Sequence, residues 1–269
     1  MNNTRTTCTF CQGELSLIAH YTSPPKGETD FGIAPYSRYL KQCIKCDHII
    51  NEHCYDFSSN FYEGQYSHAT YQAQVEHNFA KIMSLPPSRS DNRQRVAYVT
   101  NFTTNAGWKE QSTCLDVGSG LGVFPAALKE IGWHCVALDP DPTACASIEK
   151  LAKVRAITGD LMNTENLGSF DLISFNKVLE HVSTPWTMLE RSADFLKPGG
   201  FLYLEVPDGK TALSVCGPDR EEFFIEHYDA YSKTSLETLI KSSGFQPISI
   251  SNIREPSGKF TLRAFVEVA

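Results

Sequence analysis

Apolar and polar positions follow two periods along the chain, and from residue 112 onward they predict strands that alternate with helices. Short continuous apolar runs indicate buried strands, and apolar residues at three- and four-residue steps indicate helices. The predicted strands are 114–117, 134–138, 154–157, 170–175 and 201–206, and the predicted helices are 124–131, 143–151, 187–196 and 235–243. The last two apolar runs, 247–253 and 260–268, predict a terminal antiparallel pair. Such alternation is typical of an α/β fold with a mostly parallel, doubly wound sheet covered on both faces.

The region before residue 112 has a different pattern. Residues 71–83 and 93–102 carry apolar side chains at helical spacing, and an aromatic stretch precedes them. The sequence therefore predicts three parts: a small cysteine-bearing module at 1–55, a helical linker and lid at 56–111, and a main domain at 112–269. The lid would present Tyr62, Tyr66 and Tyr71 to bound molecules, and the alternative is that these aromatic residues only pack between the modules.

Composition narrows the range of partners. Hydrophobic residues make up 41% of the chain, which is enough for a packed core, and the formal net charge is −7. An acidic chain without a basic run disfavours nucleic acid, because phosphate contacts dominate such binding. No apolar run reaches the roughly 18–20 residues of a membrane helix, and the first residues do not resemble a signal peptide. We therefore expect no membrane span and a cytoplasmic location.

A glycine-rich turn, Asp116-Val-Gly118-Ser119-Gly120-Leu-Gly122, follows the first strand of the main domain. Glycines allow a sharp turn and let a ligand lie against the backbone. Dinucleotide-binding turns read Gly-x-Gly-x-x-Gly, whereas the third glycine here comes one residue early. The acid two residues before the first glycine would repel a pyrophosphate and suits a cationic ligand. An ordinary tight loop is the alternative for the turn alone.

Further acids follow the next two strands of the main domain. Asp139 ends the second strand, where a carboxylate can accept both hydroxyls of a ribose. Asp160 follows the third strand and could reach an adenine amino group. The predicted cofactor-binding residues are Asp116, Gly118, Ser119, Gly120, Gly122, Asp139, Pro140, Asp160, Leu161 and Asn176.

These motifs give the main domain a family resemblance. Leu115 to Gly122, Leu138-Asp139, Gly159-Asp160, Phe170 to Val182 and Leu196 to Gly200 resemble the class I S-adenosylmethionine-dependent methyltransferases. The resemblance implies a Rossmann-like fold and S-adenosylmethionine as cofactor, whose sulfonium and ammonium groups suit the acids. The Asn-Pro-Pro-Tyr signature of many enzymes that methylate exocyclic amines is missing, since Phe175-Asn176-Lys177-Val178 stands there. A nucleobase or glutamine amine is therefore a disfavoured acceptor.

Two Cys-x-x-Cys pairs lie near the N-terminus. Cys8 and Cys11 form the first pair, and Cys43 and Cys46 form the second. Four thiolates in two such pairs predict a tetrahedral Zn²⁺ site, and four protein ligands leave no open position, so this zinc would be structural. The metal would supply the folding energy that so short a segment lacks. A redox pair or four unconnected thiols are the alternatives.

A zinc module followed by a methyltransferase domain resembles the bacterial sugar C-methyltransferases and related polysaccharide-pathway enzymes. The resemblance implies a nucleotide-linked sugar or glycan precursor as acceptor, methylated at carbon or oxygen. Segment 223–232 resembles the family segment that carries an active-site histidine, which makes His227 the candidate general base and Glu226 its orienting or substrate-binding neighbour. A capping or interface histidine is the alternative. Glu180-His181 fits a catalytic or a structural role equally well.

Two competing functions remain open from the sequence. An RNA methyltransferase would use the zinc module to grip RNA, which the acidic balance and the lack of a basic run disfavour. A non-enzymatic member would bind the cofactor or a partner only, which the intact set of acids disfavours. The sequence thus predicts a methyltransferase acting on a small molecule, and we expect a homodimer.

Overall fold

The computed structural model describes residues 5–55, 57, 74–107 and 111–269. The predicted lid tyrosines Tyr62, Tyr66 and Tyr71 lie outside the described residues, as does the start of the predicted helix at 71–83. None of the helices in the described ranges is both long and apolar enough to cross a membrane.

Strands and helices alternate through the second half of the chain, as the sequence predicts. The strands are β1 Leu15–Tyr21, β2 Arg38–Cys43, β3 Ile49–His53, β4 Thr113–Val117, β5 His134–Asp139, β6 Arg155–Thr158, β7 Phe170–Asn176, β8 Leu196–Pro207, β9 Asp229–Ala230, β10 Phe245–Arg254 and β11 Phe260–Val268. The helices are α1 Val75–Ser84, α2 Asp91–Asn105, α3 Val123–Glu130, α4 Pro142–Leu151, α5 Pro185–Ser192, α6 Gly209–Cys216 and α7 Lys233–Ser242.

Seven strands form the main sheet in the order β10-β11-β8-β7-β4-β5-β6. Strand β4 pairs in parallel with β5 and β7, β5 pairs in parallel with β6, and β10 pairs antiparallel with β11. This confirms the predicted mostly parallel sheet with an antiparallel C-terminal end. The chain leaves β4 toward β5 and β6 on one side and returns to β7 on the other, which makes the β4/β7 boundary a topological switch point.

The chain divides into two compact units. One comprises residues 57–176 and 190–203, and its core includes Ala137, Ile148 and Val154 beneath α3 and α4. Side-chain caps fix where its helices begin. Asp141 accepts a hydrogen bond from the Thr143 amide at 2.8 Å, and Pro142 occupies the first turn of α4.

The other unit comprises residues 1–56, 177–189 and 204–269. Its second sheet has the order β1-β2-β3-β9, so a strand from the C-terminal part completes the N-terminal sheet. Leu40 and Ile49 pack there with Phe223 and Phe260. The N-terminal residues therefore share a core with distant segments. The predicted boundaries at residues 55 and 111 stay predictions.

The sequence patterns missed several elements. Strand β1 is largely exposed and strands β2 and β3 are mostly buried on both faces, so none of the three carries a clean alternation, and β9 has only two residues. The predicted helix at 187–196 ends earlier than expected, at Ser192, and β8 begins at Leu196, before the predicted strand start at residue 201. Gly199 accommodates this with a φ of 76°.

Candidate active site

The glycine-rich turn connects β4 to α3. Gly118, Gly120 and Gly122 have φ values of 66°, 54° and 69°, a region that residues with a Cβ rarely adopt. Gly122 caps α3, and a Cβ there would lie 2.8 Å from Cγ1 of Ile148 in α4. The turn therefore needs glycine both for its backbone and for close packing between the two helices.

Asp139 holds this turn against the end of β5. Its Oδ2 accepts a hydrogen bond from the Gly120 amide at 2.8 Å, and its Oδ1 accepts one from the Asp141 amide at 3.0 Å. Burial raises the pKa of Asp139 to about 6. Each carboxylate oxygen can accept a second hydrogen bond, so Asp139 can hold the turn and a ligand hydroxyl together.

Asp116 lies at the switch point and is almost fully buried. Its Oδ1 accepts hydrogen bonds from Ser174 Oγ and Asn176 Nδ2, both at 2.7 Å. Burial raises the pKa of Asp116, and these hydrogen bonds oppose the shift. The Asn176 Oδ1 is buried and has no hydrogen-bond partner in the part of the chain that the structure describes. A carboxylate beside an unpaired amide oxygen suits a cationic ligand group.

The remaining cofactor candidates surround the same edge of the sheet. Asp160 follows β6, is half-buried, and its Oδ1 accepts from the Met162 amide at 3.0 Å. Leu161 is buried, and Pro140 is half-buried directly after Asp139. Ser119 donates from Oγ to the Asp116 carbonyl at 2.8 Å. Because parallel strands end at one edge, these positions follow strands that end at the same edge of the sheet, and Asp116, Asp139 and Asp160 contribute carboxylate acceptors there.

A second polar cluster contains Glu180, His181, Glu226 and His227. Nδ1 of His227 lies 3.1 Å from the Glu222 carbonyl, and Nδ1 of His181 lies 3.0 Å from the Glu226 carbonyl. A carbonyl only accepts, so each Nδ1 carries the proton and each Nε2 is the unprotonated nitrogen of a neutral ring. The two rings meet edge to face with centroids 4.7 Å apart.

Burial shifts the pKa of every group in this cluster toward its neutral form. It lowers the pKa of His227 well below its usual range, and the charges of His181, Lys177 and Lys259 add to the shift. It also lowers the pKa of His181 to about 4 and raises those of Glu180 and Glu226 to about 8 and about 7. Both carboxyl oxygens of Glu180 and the Glu226 Oε2 are buried without a hydrogen-bond partner among the described residues.

Unpaired buried oxygens of this kind mark a place where a ligand can supply the missing hydrogen bonds. One atom each from Glu180, His181 and His227 also lie within 4.8 Å of one another, a set that could hold a metal ion. The arrangement can therefore bind a polar molecule, take up a proton, or do both.

The four cysteines converge as their spacing predicts. Their Sγ atoms lie within 4.8 Å of one another, with Cys8 to Cys46 at 3.7 Å and Cys11 to Cys43 at 3.4 Å. Sulfurs on a tetrahedral zinc are about 3.8 Å apart for Zn–S bonds of about 2.3 Å, whereas a disulfide is about 2.05 Å long. The cluster could hold zinc.

Two turns of the same construction carry these cysteines. In the first, the Cys8 carbonyl accepts from the Gln12 amide at 3.0 Å, and in the second, the Cys43 carbonyl accepts from the Asp47 amide at 3.0 Å. Gln12 and Asp47 both have a φ of 58°. A Cβ on Gly13 would lie 2.8 Å from the Cys43 sulfur, so the cluster also requires a glycine beside it.

Comparison with known proteins identifies the family. Residues 76–250 match a family model described as a methyltransferase domain, which is roughly two thirds of the chain. The chain belongs to this methyltransferase family.

Curated relatives of this methyltransferase include ubiquinone biosynthesis O-methyltransferases. The one from Xanthomonas campestris pv. campestris (strain B100) is 33% identical over 182 residues, which cover 62% of this chain and 74% of the relative. The one from Xanthomonas euvesicatoria pv. vesicatoria is 27% identical over the same length.

Solved structures share the fold of this methyltransferase. The 1,6-didemethyltoxoflavin-N1-methyltransferase of Burkholderia thailandensis, with bound S-adenosylhomocysteine, has a TM-score of 0.58, 17% identity, and covers 90% of this chain and 100% of its own. The magnesium protoporphyrin IX methyltransferase of Synechocystis PCC 6803 has a TM-score of 0.57, 15% identity, and covers 78% and 98%. The family match and the curated relatives make the protein an S-adenosylmethionine-dependent methyltransferase, and the solved structures share its fold.

Sequence reasoning found part of the site and missed part of it. The four cysteines lie together as predicted, and Asp116 and Asp139 each accept hydrogen bonds at the end of their strand. Ser174 was missed, although it stands directly beside Asp116 in the parallel register of β4 and β7. The roles of the cofactor residues and of His227 and Glu226 stay predictions. The curated relatives named above are ubiquinone enzymes, so the comparisons do not support the predicted sugar or polysaccharide assignment.

Proposed function

We propose that this methyltransferase acts on a hydroxyl-rich small molecule, a nucleotide-linked sugar or glycan precursor, at oxygen or carbon. The observation that carries the proposal is a set of three buried carboxyl oxygens, two of Glu180 and one of Glu226, that have no hydrogen-bond partner among the described residues. Each unmet hydrogen bond in a buried site costs roughly 1–3 kcal/mol, which a polyhydroxylated acceptor would recover. The order of cysteine module and methyltransferase domain supports the same acceptor class by resemblance.

We assign the cofactor contacts by chemistry. When bound, S-adenosylmethionine supplies an electrophilic methyl group on a sulfonium sulfur. Asp116 and the Oδ1 of Asn176 would bind its ammonium group, and Asp139 would accept from its ribose hydroxyls. Asp160 would accept from the adenine amino group, with Pro140 and Leu161 beside the ring. The turn from Gly118 to Gly122, including Ser119, would hold the methionine portion.

His227 is the proposed general base. Its Nδ1 is committed to the Glu222 carbonyl, so Nε2 takes the proton of the acceptor. The low pKa of the ring keeps Nε2 unprotonated at neutral pH. The same low pKa makes it a weak base until the acceptor itself develops negative charge. Glu226 is the proposed orienting or substrate-binding neighbour of His227.

The cysteine cluster holds a structural Zn²⁺ in this proposal. Cys8, Cys11, Cys43 and Cys46 would occupy all four positions of a tetrahedral ion, so no position is left for a substrate. A cytoplasmic location and a homodimer stay predictions alongside it.

A screen of acceptors tests the proposed function. The purified protein, S-adenosylmethionine and a panel of nucleotide-linked sugars are incubated, and S-adenosylhomocysteine and product masses are measured. We expect a mass gain of one methylene on a sugar nucleotide. Activity that disappears after dialysis against a chelator for divalent cations, while the cysteine-bound zinc is retained, would make His227 a metal ligand instead of the base.

A second candidate acceptor is a phenolic hydroxyl. The 33% identity to a ubiquinone biosynthesis O-methyltransferase favours it. Polyprenyl catechols are therefore included in the same screen, together with bulk RNA at low salt. Product on the catechols alone would replace the sugar proposal, and methylated RNA would overturn both.

A further inference from the structure

The segment 223–228, which carries Glu226 and His227, is held by residues of the N-terminal strands. We propose that Arg38, Glu28 and Asn51 are positioning residues for this segment, so that the cysteine module sets the geometry of the transfer step. The proposal rests on the proposed function, because it takes His227 as the base. Under this proposal the cysteine module positions the segment with His227 and is not a nucleic-acid-binding module.

Backbone pairing brings the two parts together. Ile49 and Ile50 of β3 pair with Ala230 and Asp229 of β9. The Asn51 amide extends this ladder by donating to the Tyr228 carbonyl at 2.9 Å. The residue next to His227 is therefore tied to β3 through its backbone.

A buried ion pair fixes the other end of the segment. Arg38 is fully buried and donates from Nη1 to the Phe223 carbonyl at 2.8 Å and from Nη2 to Glu28 at 3.2 Å. Glu28 in turn accepts from the Ile225 amide at 2.8 Å. Because each ion is paired and also hydrogen-bonded to the segment, moving the segment would leave a buried charge without partners.

Asn51 adds two contacts between these ends. Its Nδ2 donates to the Phe223 carbonyl at 3.1 Å and to the Phe224 carbonyl at 2.9 Å, while its Oδ1 accepts from Arg38 at 3.1 Å. The Phe224 carbonyl also accepts from the His227 amide at 2.9 Å. One side chain thus links the arginine to the turn that orients His227.

The cysteine turns lie directly on these strands. Strand β2 ends at Cys43 and β3 begins three residues after Cys46, so the second cysteine turn is the connection of the β2–β3 hairpin. That hairpin places Arg38 opposite His53 and Leu40 opposite Asn51. The Ser232 Oγ donates to the Cys46 carbonyl at 2.5 Å, which fixes the turn to the residues after β9 as well.

An Asn51→Asp variant tests the proposal. The aspartate keeps an oxygen toward Arg38 and replaces the amide donor by an oxygen that faces two carbonyls. We expect kcat to fall about 30-fold or more, with the Kd for S-adenosylmethionine and the zinc content within twofold of the wild type. We also expect the acid limb of the pH profile of kcat to move to higher pH. A displaced segment exposes His227 to water, and its pKa then rises toward the usual value of about 6.5.

Lys41→Met is the matched control. Lys41 lies on β2 and pairs with Glu52, and its Nζ donates to the Arg5 carbonyl at 2.7 Å, so its side chain is engaged by the N-terminal strands and not by residues 223–228. Its kcat should match the wild type. An Asn51→Asp enzyme with wild-type kcat and pH profile would overturn the positioning role. Inactivity of the wild type on every acceptor would instead overturn the proposed function.

Hydrogen exchange keeps the test informative if Asn51→Asp does not fold. Removing zinc from the wild-type chain should accelerate exchange at residues 223–230 at least tenfold and leave residues 113–139 unchanged. Equal protection of residues 223–230 with and without zinc would contradict the proposal without any measurement of activity.

Discussion

Two regions differ in how their polar groups are hydrogen-bonded. One is the cofactor edge, the end of the main sheet with Asp116 and Asp139, and the other is the histidine–glutamate cluster of Glu180, His181, Glu226 and His227. Asp116 and Asp139 are held by donors of the chain itself, within one unit. Glu180 has two buried oxygens without a partner in the described residues, within the other unit. The first region thus satisfies its two carboxylates from the chain itself and leaves the Asn176 Oδ1 unpaired among the described residues, whereas the second leaves carboxyl oxygens unpaired. Such a difference is expected when one region binds the same cofactor in every reaction and the other must discriminate among acceptors.

Loss of a cysteine should have the largest effect. Cys43→Ser removes a ligand from a site of the kind that contributes about 10 kcal/mol or more to folding. We expect loss of bound zinc by elemental analysis and a thermal unfolding temperature lower by at least about 8 °C. Cys54→Ser, at an exposed single cysteine, should change neither quantity. A zinc-free Cys43→Ser protein of wild-type stability would show that the cluster is not structural.

Replacing the proposed base should reduce catalysis without affecting cofactor binding. His227→Asn should lower kcat by about 10²–10⁴-fold, because a general base is lost, and leave S-adenosylmethionine binding within twofold by calorimetry. His134→Asn, at an exposed position on β5, serves as the control. Full turnover by the His227 variant would assign this histidine to structure alone.

A glycine substitution should weaken the cofactor edge without touching the cluster. Gly122→Ala places a Cβ 2.8 Å from Ile148, and we expect about a tenfold weaker Kd for S-adenosylmethionine from a cost of about 1–3 kcal/mol. Gly132→Ala has a similarly positive φ of 94° with open space around the new Cβ, so it isolates the backbone strain. Equal effects of both variants would show that the contact with Ile148 is unimportant.

The smallest effect is a pH dependence of cofactor binding. Only ionised Asp139 can accept from two ribose hydroxyls while holding both amides, and burial raises its pKa to about 6. Affinity should therefore be constant above pH 7 and fall as pH drops through 6, approaching tenfold per unit below it. Calorimetry across pH 5–8 measures this, with Asp139→Asn expected to bind weakly at every pH. A flat wild-type profile would remove the ribose contact.

The same contrast explains which site residues could be predicted from the sequence. The sequence alone predicts Asp116, Asp139 and the cysteine pairs, because each belongs to a short motif whose spacing has a physical meaning. Arg38 donates to the carbonyl of a residue 185 positions away, and Asn51 to one 172 positions away. Neither contact leaves a periodic or local signal, since the partner is a backbone carbonyl that any residue offers. Long-range hydrogen bonds to the main chain therefore emerge only from the fold.

A metal ion held by the four cysteines would also close a ring in the chain. Thirty-one residues separate Cys11 from Cys43, and Glu28 lies within that interval. A cross-link across a loop of this length lowers the conformational entropy of the unfolded chain by an amount worth about 3–4 kcal/mol. With the ring closed, Glu28 samples fewer positions in the unfolded chain before its carboxylate accepts from the Ile225 amide. One ion bound at the edge of the hairpin can thus make a contact between distant parts of the chain less costly in entropy.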